Sequence, residues 1–383
     1  MKIRNPLPPI DWVPAVVLTG TFAAALLLVP LYGVAVGYST ASWVWFAIFL
    51  VASGLSITAG YHRLWAHRTY EAHWAVRVFF MLFGAMAIQN SILVWSAGHR
   101  PHHRFVDDEE ADPYSARRGF WYSHIGWMLR QYPAAVADFK HVRDLQRDPV
   151  VVFQHDHYVA IVLTMNIALP AAVGWLSGDL WGTVLLAGLL RLVVNHHVTF
   201  FINSLAHRWG RQPYDDGNTS RDHPLLALLT YGEGYHNFHH RFAHDYRNGT
   251  RWWHWDPTKW LICALSWVGL TQRLRTTPWV EIERARLTMQ FKRAEARIER
   301  ALTHGHHQAL QHLRDRLERE YDAFSAILAD WSRARETWLS TTRQRVVERM
   351  DRVDAEMKDY ARQVVAQLRA QQRRLERLAM EFA

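Results

Sequence analysis

His99-Arg100-Pro101-His102-His103 places three imidazoles in five residues, and the reading of the whole chain turns on it. Upstream stands His62-Arg63-Leu64-Trp65-Ala66-His67. Downstream stand Asn203-Ser204-Leu205-Ala206-His207 and His236-Asn237-Phe238-His239-His240. The four clusters hold nine of the chain's 23 histidines. Residues at i, i+3 and i+4 share a helix face, so His236, His239 and His240 are expected to point at one place. His99, His102 and His103 have the same spacing, with Pro101 expected in the first turn of its helix or in a bend. Neutral imidazole is the commonest metal ligand and suits iron, copper, nickel and zinc. A tetrahedral zinc takes four ligands, so nine histidines fit two ions of higher coordination number better. A lone histidine is more often an ordinary core or surface residue, but four clusters together argue for metal.

Composition sets the bounds. Half of the 383 residues are hydrophobic, and many of the 19 tryptophans stand near the ends of apolar runs, as in an interfacial aromatic belt. The single cysteine, Cys263, excludes a disulfide framework, a cysteine zinc site and a cysteine-ligated iron–sulfur cluster within this chain. The net charge of +9 fits anionic lipid and acidic partners, and no nucleic-acid motif accompanies it. The N-terminus does not read as a cleaved signal.

Four runs are long and apolar enough to span a membrane, at about 12–36, 43–61, 158–176 and 180–202. They read as two hairpins with short, uncharged far-side tips. Basic residues crowd the termini and the central loop, which places both ends and all four histidine clusters on the cytoplasmic side, as in a bacterial inner membrane. Residues 74–95 read as one amphipathic helix at the interface, because a span there would part His62 and His67 from His99. The acidic run from Asp107 to Asp112 reads as solvated. Residues 62–157 and 203–280 form an expected cytosolic cap, with Asp256-Pro257 among its loop signals.

From about residue 281 to 383 the composition shifts to Arg, Glu, Ala, Leu and Gln. Leu310, Leu317, Phe324, Trp331 and Trp338 recur every seven residues, as do Leu368, Leu375 and Phe382, so coiled-coil-like amphipathic helices are expected. Breaks are expected at 303–307 and at Ser340-Thr341-Thr342. His304, His306 and His307 read as a polar turn. This extension can self-associate, dock on the body or recruit a partner, and the sequence leaves the choice open. The fold class is therefore an all-α integral membrane protein of four spans in two hairpins, with a cytosolic helical cap (1–280 in all) and a helical C-terminal extension (281–383).

The ordered clusters resemble the membrane-bound fatty acyl desaturases, most closely the acyl-CoA Δ9, stearoyl-CoA type, over roughly residues 10–275. The shared words are 57–67, Ala111-Asp112-Pro113, 117–120, Ser123-His124-Ile125-Gly126-Trp127 and 232–240. The resemblance implies two iron ions, which zinc can replace in recombinant protein. It implies His62, His67, His99, His102, His103, His207, His236, His239 and His240 as ligands, with Asn203 acting through water. Glu233 and Asp112 are candidates to orient ligand imidazoles, and no catalytic side chain beyond the ligands is expected. His124, His155, His157, His196, His197, His223, His244 and His254 carry no ligand role. The resemblance further implies a kinked substrate tunnel. Gln89 and Thr199 match residues at its bend, and Phe200 stands where the family often has Trp. Phe46 and Leu50 are candidates to close its far end. Asn90, Trp95 and Arg130 match head-group contacts, whereas Ala97-Gly98 replace an Arg-Asp pair found in animal members.

The implied reaction is O₂-dependent insertion of a cis double bond, Δ9 by resemblance, into a saturated long-chain acyl thioester for unsaturated lipid synthesis. The carrier is CoA by resemblance, with acyl-carrier protein or a lipid as alternatives. An unactivated methylene needs an oxidant that no side chain supplies. The chain has no flavin, haem or cytochrome b5 signature, so electrons must come from a ferredoxin or cytochrome b5-like protein with its reductase. The competing readings are a related di-iron hydroxylase of the alkane or sterol type, and a non-enzymatic metal-binding membrane scaffold.

Overall fold

The computed structural model describes residues 7–302, 307–344 and 350–380. Contacts divide the chain into two units, Met1–Arg211 with Gly217–Thr276, and Gln212–Asp216 with Thr277–Ala383. In chain order the first unit carries α1 (Trp12–Ala35), α2 (Thr40–Ala66), α3 (Trp74–Ala85), α4 (Ile92–Arg104), α5 (Tyr158–Leu176), α6 (Leu180–His207), α7 (Pro224–Leu229), α8 (His236–Arg241) and α9 (Pro257–Trp267). The chain is mostly helical, and α1, α2, α5 and α6 are each long and apolar enough to cross a membrane. Residues 71–72 and 271–272 form a short antiparallel ladder, a small departure from an all-helical fold.

Local chemistry explains the ends of these helices. Ser39 caps α2 by accepting from Ser42 N at 3.1 Å, and Asp179 caps α6 by accepting from Gly182 N at 2.9 Å. The Asp179 carboxylate also accepts from Tyr32 Oη, Ser39 N and Ser42 Oγ at 3.1, 3.0 and 2.8 Å. One carboxylate therefore ties the link between α1 and α2 to the turn between α5 and α6. Asp256-Pro257, read from sequence as a loop, is instead a helix start: Asp256 accepts from Lys259 N and Pro257 opens α9.

The expected single helix over 74–95 is two helices, with a break at 86–91 where Ile88 (φ 48°) and Asn90 (φ 71°) are left-handed. Polar residues inside α6 explain how the break survives next to a span. Arg191 Nη1 donates to Met86 O at 2.6 Å and His196 Nε2 meets Ala87 O at 2.8 Å. Arg191 also donates to Ala187 O at 3.0 Å and to Asn166 Oδ1 at 2.7 Å. Carbonyls freed by a helix end have no water to turn to at this depth, so side chains must take its place. Pro101 likewise departs from expectation. It lies inside α4 near its C-terminal end, and Phe105 N closes the last turn on Pro101 O at 2.9 Å.

The second unit holds α10 (Trp279–Leu302), α11 (His307–Gln344) and α12 (Met350–Met380). Leu317, Phe324, Trp331, Leu368 and Leu375 are buried together with Leu287, Phe291 and Val364 in a core of its own. Phe382 and the turn at 303–306, with His304 and His306, lie outside the described residues, as do the side chains of His307 and Leu310. The expected break at Ser340-Thr341-Thr342 is absent, since α11 runs on to Gln344. Gln212–Asp216 belongs to this unit because Lys292 pairs with Asp216 at 2.7 Å and Arg286 donates to Tyr214 Oη at 3.0 Å.

Arg191→Met should cost about 3 kcal/mol, because each buried acceptor left without a donor costs about 1–3 kcal/mol. Thermal unfolding of the variant and the parent in the same detergent checks this.

Candidate metal centre

Beyond Leu55, α2 continues in π-helical winding from Ser56 to Ala66, and His67 N bonds His62 O at 3.0 Å across five residues. In an ordinary α-helix a five-residue step points the two side chains apart. The wider winding brings them together, with ring centroids 4.7 Å apart. The histidine-rich C-terminal half of α4, the end of α6 and the short α8 close on this point.

All nine histidines converge, but not box by box. His62, His67, His99, His103 and His239 form one group, and His102, His207, His236 and His240 form the other. Within each group the ligand atoms lie within 4.8 Å of one another. The expectation that each His-x-x-His-His box aims at one place is corrected here. His99 and His103 share a group while His102 faces the other, and His236 and His240 share a group while His239 crosses over. The i, i+4 pair keeps to one face, and the i+3 residue turns aside.

The donor set suits cations. Nε2 atoms face each other at 2.9 Å (His62, His239), 2.8 Å (His67, His99), 3.0 Å (His239, His103), 3.1 Å (His236, His207) and 3.0 Å (His240, His236). Burial first, and then the neighbouring imidazoles, push His67, His99, His103, His236, His239 and His240 well below the usual histidine range. Neutral rings presenting lone pairs to a shared point are what a metal ion requires.

Acceptors on the far side set which nitrogen carries the proton. His102 Nδ1 lies 2.8 Å from Asp112 Oδ1, and His62 Nδ1 lies 3.0 Å from Glu233 Oε2. His99 Nδ1 lies 3.0 Å from Tyr114 Oη. His207 Nδ1 lies 2.9 Å from Thr219 Oγ1, which donates to Asp107 Oδ1 at 2.6 Å. A proton on Nδ1 leaves the Nε2 lone pair for the centre. Asp112 thus takes the orienting role considered for it, and Glu233 orients His62 rather than its neighbour His236. Burial opposes the charge of Glu233, but His62 and Arg63 outweigh it and hold the carboxyl at about 2. Its stabilising share is therefore present above the ordinary carboxylate range and is lost as pH falls toward about 2.

Asp107 and Asp112 are buried, which corrects the reading of the acidic run as solvated. Tyr114, Thr219 and Asp107 escaped the sequence reading as orienting residues. Tyr114 follows the Asp112-Pro113 pair directly, so proximity could have flagged it; Thr219 carries no local signal.

A cavity of about 690 Å³ opens beside both groups, lined by His62, His99, His102 and His236. Asn203, Gln89, Asn90, Trp95, Arg130, Thr199 and Phe200 line it too, with apolar wall from Val13, Val17, Leu18, Ile57 and Val94. Gln89 Nε2 donates to Thr199 Oγ1 at 2.9 Å and Gln89 Oε1 accepts from Trp95 Nε1 at 3.4 Å. Phe46 and Leu50 are not brought to this cavity. Phe46 packs against the apolar core and the Trp43 ring, and the Leu50 carbonyl accepts from Tyr231 Oη at 3.1 Å. None of His124, His155, His157, His196, His197, His223, His244 and His254 joins either group; His124 instead meets His197 at 3.0 Å and Ser204 at 3.0 Å.

The family model for fatty acid desaturase matches residues 39–266. The chain belongs to the fatty acid desaturase family. It is 44% identical over 250 residues to acyl-CoA desaturase 1 of Saccharomyces cerevisiae, covering 65% of this chain and 49% of that protein. It is 44% identical over 278 residues to a probable acyl-CoA desaturase of Schizosaccharomyces pombe, covering 72% and 57%. It is 40% identical over 254 residues to stearoyl-CoA desaturase 5 of Homo sapiens, covering 64% and 76%. The chain spans about half the length of the two yeast relatives, and all three are eukaryotic.

Asp112→Ala should lower metal affinity about 10–100-fold by freeing the His102 ring. Metal content after dialysis against a graded chelator series checks this, with Glu109→Ala, on the exposed part of the same loop, expected to match the parent.

Proposed function

We propose that this chain is an O₂-dependent desaturase that places a cis double bond, at Δ9, in a saturated long-chain acyl thioester, with acyl-CoA as the carrier. The observation that carries the reading is the convergence of nine imidazoles, in two groups, beside a largely apolar cavity in a member of this family. The names of the relatives support the acyl-CoA carrier.

Two irons, when bound by the nine histidines with Asn203 acting through water, supply an oxidant strong enough for an unactivated C–H bond. The overall balance is an acyl –CH₂–CH₂– unit, O₂, two electrons and two protons going to –CH=CH– and two waters. The residues of the chain do the rest. Asp112, Glu233, Tyr114 and Thr219 hold their imidazoles with Nε2 inward. Arg63 keeps Glu233 charged and in place at 2.8 Å, and Asn248 donates to the other Glu233 oxygen at 2.6 Å. The apolar wall excludes water from the acyl chain. The Gln89–Thr199 bond fixes the bend, so regiochemistry is the distance from the head-group region near Asn90, Trp95 and Arg130 to the histidines, and cis geometry follows from the kink.

The same reading puts the four spans in two hairpins, with termini and histidines on the cytoplasmic side. A ferredoxin or cytochrome b5-like donor with its reductase supplies electrons to the basic face. The C-terminal helices form a coiled-coil-like extension available for self-association or partner docking.

Expression in a desaturase-deficient host, followed by gas chromatography and mass-spectrometric location of double bonds, should show a cis-Δ9 monounsaturated acyl product. A hydroxyacyl product would replace this reading with the hydroxylase one, and bound metal without reductant-driven turnover would favour a scaffold. His102→Ala should abolish the product while the variant still elutes as the folded protein; normal turnover would remove His102 from the ligand set.

A further inference from the structure

The cap carries an apolar surface that the reaction does not use. On α7, Leu226 and Ala227 are buried while Leu225, Leu228 and Leu229 are 62%, 51% and 56% exposed. Nearby in sequence, Trp252 and Trp267 are 82% and 80% exposed, and Trp253, Trp255 and Trp260 are exposed as well. In a soluble cap this would be a costly surface.

Its depth follows from what it touches on α2. Tyr231, two residues after α7, donates through Oη to Leu50 O at 3.1 Å, and its ring fills the space beside Gly54 where a Cβ would clash. Thr258 Oγ1 lies 2.7 Å from Thr58 Oγ1 and bonds Tyr231 O at 2.8 Å, so α9 begins beside Thr58, four residues before His62, while the Tyr231 side chain reaches on to Leu50. Leu50 lies twelve residues before His62 and six before the π-helical winding starts, well inside the apolar stretch of a span. A side chain that reaches Leu50 from outside α2 must come through the layer that surrounds that span.

We propose that α7 and the tryptophan-rich segment 252–267 form a foot inserted into one bilayer leaflet beside α2. Leu225, Leu228 and Leu229 sit among acyl chains, and the tryptophans sit at the head-group boundary. The occupant of the surface is lipid, because Tyr231, two residues after α7, packs on the flank of a membrane helix at Leu50 and Gly54. Arg251, 5.8 Å over the Trp253 ring, is the cation beside it that suits phosphate head groups. The soluble cap read from sequence, with 261–270 packing on the membrane or the cap, is thus membrane-embedded over α7 and 252–267 as well. The foot leads through Gly232 directly into Glu233 and His236, so lipid contact and the metal centre share one short segment.

The test uses the full chain in phospholipid nanodiscs. In a Cys263→Ser background, single cysteines at Leu228, Trp252 and Glu109 carry an environment-sensitive fluorophore. Spin-labelled phosphatidylcholine is the lipid quencher and iodide the aqueous one. The foot predicts several-fold stronger quenching by acyl-chain spin labels at position 228 than at position 109, shallower lipid quenching at position 252, and iodide quenching confined to position 109. Iodide quenching at position 228 equal to that at position 109 overturns the proposal. Protection of position 228 from both quenchers, as a protein partner or second copy would give, overturns it too.

Discussion

A neutral imidazole ring has one lone pair to offer, and the residues around the centre serve to aim it. The rings are crowded to Nε2 separations near 3 Å with no acceptor between them. Four of them, His102, His62, His99 and His207, meet a partner for Nδ1 on the outer side, respectively Asp112, Glu233, Tyr114 and the Thr219–Asp107 pair, and the carboxylates among these are buried. A buried carboxylate needs its own partners in turn. Arg63 and Asn248 supply them for Glu233, with Asp256 holding Arg63 from its other side, and the Asp107 and Tyr114 amides supply them for Asp112. The centre is thus the inside of a hydrogen-bonded shell that reaches from the end of α2 to the start of α9.

A second constraint acts where the chain breaks its helices near the bilayer. Residues 86–91 interrupt what periodicity reads as one helix, and the freed carbonyls are met by Arg191 and His196 from α6. The break shapes the cavity, because it carries Gln89 to Thr199 and Trp95. A polar residue inside a span here is not an error in the apolar pattern; it replaces the water that the surroundings lack.

Much was legible before folding was considered. Helix length and apolar composition are local properties, so four runs able to cross a membrane were expected, and four helices long and apolar enough to do so are present among the described residues. Four histidine clusters in a fixed order were read as one centre because their chemistry leaves few alternatives. What stayed hidden depends on winding and on distant partners. The π-helical turns that bring His67 back to His62 have no composition signal. Pro101 inside α4 contradicts its usual place in a first turn. An acidic run looks solvated until Asp107 and Asp112 are seen facing buried rings. Phe46 and Leu50 were reasoned onto the tunnel from their place on α2 before His62, and neither lines the cavity beside the histidines.

By itself, the amino-acid order determined which residue types could gather and roughly where the chain enters the membrane, because hydrophobic length and donor chemistry are properties of short segments. Only the tertiary structure decided how the histidines divide between two groups, which acceptor holds each ring, and how deep the cap lies against α2. Those outcomes depend on directions in space, and a side chain's direction is set by neighbours that can be more than a hundred residues away.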